Sequence, residues 1–154
     1  MEGKVLSSMS SRVREAYTDT FEHSIDAKGR VTVPAEWRGE KFALRLCIVP
    51  SEEKCLKVYS AEVMAEKMLL LQQAPVNDPR RKMLERLASI TQSVSIDAQG
   101  RVMVKDKLRE MASLTKIALF KGAFDHFQIW DPGRAKEIEN QQLTWEQVAR
   151  EVGL

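Results

Sequence analysis

The chain has 154 residues, 44% of them hydrophobic and 30% charged, with a formal net charge of +2. That suits a soluble globular protein of one ordinary domain or two very small ones. No apolar run approaches the ~20 residues that cross a bilayer, and the N-terminus lacks the apolar core of a signal peptide, so a cytoplasmic protein without membrane contact is expected.

Residues 1–20 are polar, Ser-rich and without periodicity; they read as a flexible N-terminal arm, with Met9 as an alternative start. A first unit follows over 21–62. A strand ends at Asp26, Ala-Lys-Gly makes a turn, and a second strand covers Arg30–Val33. Gly29 supplies the positive φ of a tight or bulged hairpin. Pro34 suits the first position of a short helix, where its missing amide hydrogen costs nothing. Strands near 42–49 and 55–59 complete the unit. Cys47 and Cys55 are the only cysteines and lack a CxxC spacing, which leaves reduced, partly buried thiols rather than a metal or redox site.

A helical hairpin is expected over 63–91. Val63, Met64, Met68, Leu69 and Leu71 form an apolar stripe at helical spacing, Pro75–Pro79 breaks it, and Asn77 or Asp78 caps a second helix over about 79–88. A second unit occupies 92–131, with strands near 115–121 and 126–130. The tail over 132–154 reads as an amphipathic helix with a break or cap near Thr144-Trp145.

The two units are copies. Ser24–Val33 aligns without a gap on Ser95–Val104, 71 residues on, and both carry Ser-Ile-Asp-Ala-x-Gly-Arg-Val. At the same offset Arg38 falls on Arg109, Leu46–Val49 on Ile117–Phe120, and Leu56–Tyr59 on Phe127–Trp130. A unit of about 40 residues buries too little surface to stand alone. Two such units can interleave their hairpins about a pseudo-twofold axis and bring both turns to one face. Segments 26–45 and 97–116 each carry five basic and three acidic residues, whereas 131–154 carries three basic and five acidic. Cation therefore gathers at the turns.

Asp26 and Asp97, with Gly29 and Gly100, have a turn-structuring role: the carboxylate accepts turn amides and pairs with the arginine four residues on. Arg30 and Arg101 can brace the turn and still present donors outward, and with Lys28 they offer phosphate and guanine contacts. Two aspartates in pseudo-symmetric turns could suggest a proton-sharing dyad. Each precedes Ala and has an arginine four residues on, which would hold it ionised. His23 and His126 are not repeat-equivalent and have no metal-ligand spacing. No catalytic constellation, metal or cofactor is expected.

The duplicated hairpin and short helix resemble the MraZ family of bacterial transcription regulators, which look like tandem AbrB-type swapped-hairpin modules. Phe21–Arg38 is similar to the family's opening and Ile129-Trp130-Asp131 to its closing strand, and the resemblance covers about 21–150. It implies an α+β, mostly β fold: a double-module swapped-hairpin β-barrel with a helical hairpin between the repeats and a C-terminal helix. It also implies a nucleoid-associated repressor of the division and cell-wall gene cluster. That repressor would bind double-stranded DNA at promoter direct repeats, its own promoter included, through a homo-oligomeric ring, with no small-molecule substrate. The DNA-binding residues would be Lys28, Arg30, Arg38, Gln99 and Arg101, with the family's Asp-x-x-x-Arg motif on Asp26/Arg30 and Asp97/Arg101. Lys105-Asp106 departs from a proline-led second helix, and Gln99 replaces Lys28. Both departures point to a second copy that binds DNA less directly. The alternative is a protein-interaction module of the same fold without direct DNA contact, with Leu143, Trp145 and Val148 anchoring a partner helix, packing in the core or mediating self-assembly.

Overall fold

The computed structural model describes residues 16–154. The first copy supplies β1 (Thr20–Ser24), β2 (Arg30–Thr32), a single 3-10 turn (Ala35–Trp37), β3 (Arg45–Pro50) and β4 (Leu56–Ser60). Two helices follow, α1 (Ala61–Gln72) and α2 (Pro79–Ile90). The second copy supplies β5 (Gln92–Ser95), β6 (Arg101–Met103), α3 (Asp106–Met111), β7 (Ile117–Gly122) and β8 (Phe127–Trp130), and the tail forms α4 (Pro132–Glu139) and α5 (Trp145–Glu151).

Each copy pairs two strands within itself, β3 with β4 and β7 with β8, but gives its first strand to the other copy. β1 pairs with β7 of the other copy, and β5 pairs with β3. The resulting antiparallel sheet runs β1-β7-β8-β4-β3-β5, and β2 and β6 form a separate two-stranded ribbon. The pseudo-twofold axis passes between β4 and β8, where Leu56 faces Ile129 and Val58 faces Phe127, and through the ribbon at Val31 opposite Val102. The swapped hairpins of the expected double-module fold are therefore present, and the described strands arrange them as an open six-stranded sheet and a ribbon, with no closed barrel among them. β1 and β5 remain the edges of that sheet.

The duplication accounts for the core. Val31 and Val102, Val33 and Val104, Trp37 and Leu108, and Leu56 and Phe127 are all buried. The gap-free alignment slips within β3 and β7, however. Ser24 lies opposite Ile117, whereas its counterpart Ser95 lies opposite Arg45, so Leu46 matches Ala118 and Ile48 matches Phe120. A slip of one residue moves every side chain of a strand to the other face. The buried residues Leu46, Ile48, Ala118 and Phe120 settle which register holds, and Ile117 is exposed. The second copy takes up its extra residue before β7 and gives it back in the shorter β7–β8 turn.

Tyr17 corrects the expected boundary of the arm. It is buried, exchanges backbone hydrogen bonds with Phe124, and packs against Trp37, Phe42 and Phe127. The Trp37 indole N–H donates to the Thr18 carbonyl at 3.0 Å. Residues 16–20 thus belong to the folded unit; Met9 and the rest of the expected arm lie outside the described residues. Burial raises the Tyr17 phenol to about 12.

The helical pair starts where turn chemistry allows. Ser60 Oγ accepts from Val63 N, Asp78 Oδ1 accepts from Arg80 N, and Pro79 sits where its missing N–H is not needed. Both helices rest on the sheet without burying any residue fully. Lys67 ties α1 to the β7–β8 turn, 3.4 Å from Asp125 and above the Tyr59 ring. The expected break in the tail is the N-cap of α5, where Thr144 and Gln147 form a reciprocal capping box. Leu143, Trp145 and Val148 are exposed, which removes the core-packing option for them.

Candidate nucleic-acid interface

Each turn is built within five residues. Asp26 Oδ1 accepts from the amides of Lys28 (2.9 Å) and Arg30 (2.8 Å), and Oδ2 accepts from Arg30 Nε at 2.7 Å. Asp97 repeats this with Gln99 N (2.9 Å), Arg101 N (2.8 Å) and Arg101 Nε (3.1 Å). The glycine amides close the turns on the Asp26 and Asp97 carbonyls. Both carboxyls are held below the ordinary aspartate value, chiefly by the arginine backbone amides. A proton-sharing dyad needs one carboxyl raised; two lowered ones are turn braces.

Gly29 and Gly100 have φ of +82° and +80°, which side chains rarely adopt. A second constraint comes from the opposite copy. Arg38 Nε donates to its own Val33 carbonyl at 2.8 Å, and the rest of its guanidinium lies over Gly100, where an added Cβ would stand 2.2 Å from Arg38 Nη1. Arg109 Nε donates to the Val104 carbonyl at 3.0 Å and covers Gly29, where a Cβ would stand 2.7 Å from Arg109 Cζ. Val33 N and Val104 N donate to the carbonyls of Gly100 and Gly29 respectively. Each turn is thus locked by the other copy.

This geometry redistributes the expected site residues. Arg38 lies as a strap across the second turn, with its own equivalent over the first. That equivalent, Arg109, is the residue the sequence reading left out of the site; its alignment with Arg38 was the available signal. Arg30 and Arg101 come together. In the ribbon Arg30 lies opposite Met103 and Arg101 opposite Thr32. Val31 and Val102 face the core, so Arg30, Thr32, Arg101 and Met103 share the outer face. Diagonal positions of this kind put the two arginines about 7–8 Å apart at their roots.

The copies differ in what they leave available. Among the described residues, Arg30 spends only Nε on Asp26, and Lys28 is exposed beside it. In the second turn Arg101 Nη2 also donates to Gln99 Oε1 at 3.3 Å. The first turn therefore presents more uncommitted cation. Lys105 and Lys107 add exposed charge at the start of α3. His23 packs edge-on to Phe120, and His126 bonds Asp125, so neither faces the turns. Among the described residues no group of His, Cys, Asp or Glu could hold a metal ion, and no helix is long and apolar enough to cross a membrane.

Two tandem copies with crossed strands make a specific signature, and comparison with known proteins returns the same duplication. The family model described as "MraZ protein, putative antitoxin-like" matches residues 16–87 and again 87–152. The chain belongs to the MraZ family. Its relatives include the transcriptional regulator MraZ of Parvibaculum lavamentivorans, 35% identical over 127 residues that cover 77% of each chain. The protein of that name from Thermoanaerobacter pseudethanolicus is 33% identical over 132 residues, 84% of this chain and 91% of the relative. That from Roseiflexus castenholzii is 32% identical over 119 residues, 77% and 82% respectively. The MraZ model begins at residue 16, next to the buried Tyr17.

Proposed function

We propose that this protein is a DNA-binding regulator of transcription that represses the division and cell-wall gene cluster by occupying direct repeats upstream of it, its own promoter included. The observation that carries the reading is the outer face of the β2–β6 ribbon. Two arginines lie diagonally across a pseudo-twofold axis, each braced by an aspartate and flanked by a rigid turn. A two-stranded ribbon fits the B-DNA major groove. Arg30 and Lys28 supply base and phosphate contacts, Arg101 and Gln99 supply the weaker half, and Arg38 with Arg109 holds the turns in shape. The names of the relatives support the regulatory role. The protein acts in the cytoplasm on the nucleoid, needs no cofactor, and gains affinity as a homo-oligomeric ring in which several turns engage successive repeats.

A gel-retardation titration against the DNA upstream of its own gene tests this. Arg30→Ala weakens binding by roughly 5- to 150-fold at fixed salt, as for the loss of one specific guanidinium contact worth ~1–3 kcal/mol, and leaves the fold intact. An unchanged shift would sink the role of Arg30. Affinity also falls steeply with salt as counterions return to the phosphates.

A further inference from the structure

Among the described residues Gln92 is the one buried polar side chain, and it meets a need that the first copy does not have. Its Nε2 donates to the Met103 carbonyl at 2.6 Å, and its Oε1 accepts from Lys105 N at 3.0 Å. At the repeat offset Gln92 falls on Phe21 and Lys105 on Pro34. Proline has no N–H to satisfy, so an apolar residue serves in the first copy; lysine brings an N–H that needs an acceptor, and Gln92 supplies it. The amide thus clasps the backbone on both sides of Val104 and fixes the end of β6. The Met103 side chain points the other way. Val102 and Val104 are buried, and Met103 between them is 54% exposed on the outer face of the ribbon. It lies opposite Arg30, as Thr32 lies opposite Arg101. Single exposed apolar residues are ordinary. This one differs in its clasped backbone and in its place on the face proposed to meet DNA.

We propose that Met103 is a specificity-determining residue that seats on the 5-methyl group of thymine, next to the guanine taken by Arg30. The inference rests on the DNA-binding reading of the ribbon and adds a base that its second strand reads. In the major groove thymine alone of the four bases carries a methyl group, and apolar side chains contact it. Cross-strand partners stand roughly 5 Å apart at their roots, which suits neighbouring base pairs about 3.4 Å apart along the duplex. Asp26 holds Arg30 Nε, and the Nη groups are left for guanine O6 and N7. Methionine has a long unbranched side chain without a hydrogen-bond donor, so it covers a methyl group without competing for a base edge. Discriminating one methyl group needs a reader held to within about 0.5 Å, and the Gln92 clasp provides a fixed backbone for it. The pseudo-twofold mate differs. Thr32 pairs with Arg101, and its hydroxyl can bond any base edge, so that half discriminates less. The residue beside each arginine thus makes the two halves unequal.

The test is a fluorescence-anisotropy titration of the full chain against duplex DNA from upstream of its own gene. The duplex is made once with thymine and once with deoxyuridine at every thymine. Uracil keeps the hydrogen-bonding edge of thymine and lacks only the methyl group. The parent binds the uracil duplex roughly three- to fivefold more weakly for each methyl group contacted, as for one buried CH₂-sized group returned to water. Met103→Ala binds both duplexes alike, and Met103→Leu keeps most of the preference. The position is exposed, so both variants melt like the parent. Arg30→Ala weakens binding to both duplexes and keeps their ratio, which separates guanine reading from methyl reading. A parent that binds both duplexes equally, or a preference that survives Met103→Ala, overturns the proposal and leaves the DNA reading standing. A preference that survives Met103→Ala and disappears with Thr32→Ser belongs to Thr32 and overturns the proposal equally. A parent that binds neither duplex defeats the DNA reading itself, and this inference with it.

Discussion

Replacing Gly100 with alanine tests how the turns are locked. The backbone there has φ +80°, and a side chain in that conformation costs roughly 1–2 kcal/mol. The new Cβ also stands 2.2 Å from Arg38 Nη1 and 2.6 Å from Cζ, so the guanidinium must leave. It gives up its 2.8 Å hydrogen bond to the Val33 carbonyl, worth about 1 kcal/mol at a half-buried site. The total is ~2–3 kcal/mol, or a drop in Tm of roughly 4–12 °C for a chain of this size. The decisive assay is a double-mutant cycle by urea denaturation. With Arg38→Ala already present, Gly100→Ala meets no clash and costs only the backbone strain. The double variant is then about 1 kcal/mol more stable than additivity allows. Gly29 couples in the same way to Arg109 and not to Arg38. Additive losses for Gly100 with Arg38, or coupling of each glycine to the arginine of its own copy, would refute the crossed lock.

Three further outcomes follow from the same geometry. Asp26 and Asp97 titrate below the ~3.9 of free aspartate in carbon-detected NMR; because their folded values are depressed, the turn stabilisation is present above that pH and is lost as pH falls through the lower folded values. Carboxyl shifts that titrate at the free value would contradict the amide bonding described. Tyr17 ionises at about 12, so the folded state keeps its proton longer than the unfolded chain. Its contribution is intact below pH ~10 and is lost as pH rises toward 12; Tyr17→Phe flattens that alkaline loss in stability measured by denaturant titration. Trp37→Ala, which empties a buried site ringed by Tyr17, Phe21, Phe120 and Phe127, lowers unfolding free energy by about 3–5 kcal/mol in the same assay. A loss under 1 kcal/mol would mean that this aromatic cluster packs elsewhere.

Much of the site was legible because its bonds are local. Asp26 reaches only as far as Arg30, and Asp97 only as far as Arg101, so spacing alone announces the brace, the turn and the glycine. The duplication was equally plain, as were the caps at Asp78 and Thr144. What depended on distant contacts was not. Tyr17 sits in a polar stretch with no periodic pattern, and only its pairing with Phe124 draws it inward. The slip between β3 and β7 is silent in two apolar runs, since either register aligns apolar residues; it is decided by which side chains the partner strand buries.

The same division holds for the whole chain. By itself the sequence determined two copies of a rigid Asp-x-x-Gly-Arg turn, because backbone preference and hydrogen bonds over four residues suffice to make one. Tertiary structure decided that the copies exchange strands, that the sheet stays open, and that Arg38 and Arg109 each cross to the other copy's glycine. Those outcomes depend on which surfaces meet once the chain has collapsed, and such contacts join residues far apart in the chain, Arg38 with Gly100, Gly29 with Arg109 and Thr20 with Lys121 among them. The shared axis also makes the turns interdependent, so a change in one copy's strap is felt at the other copy's turn.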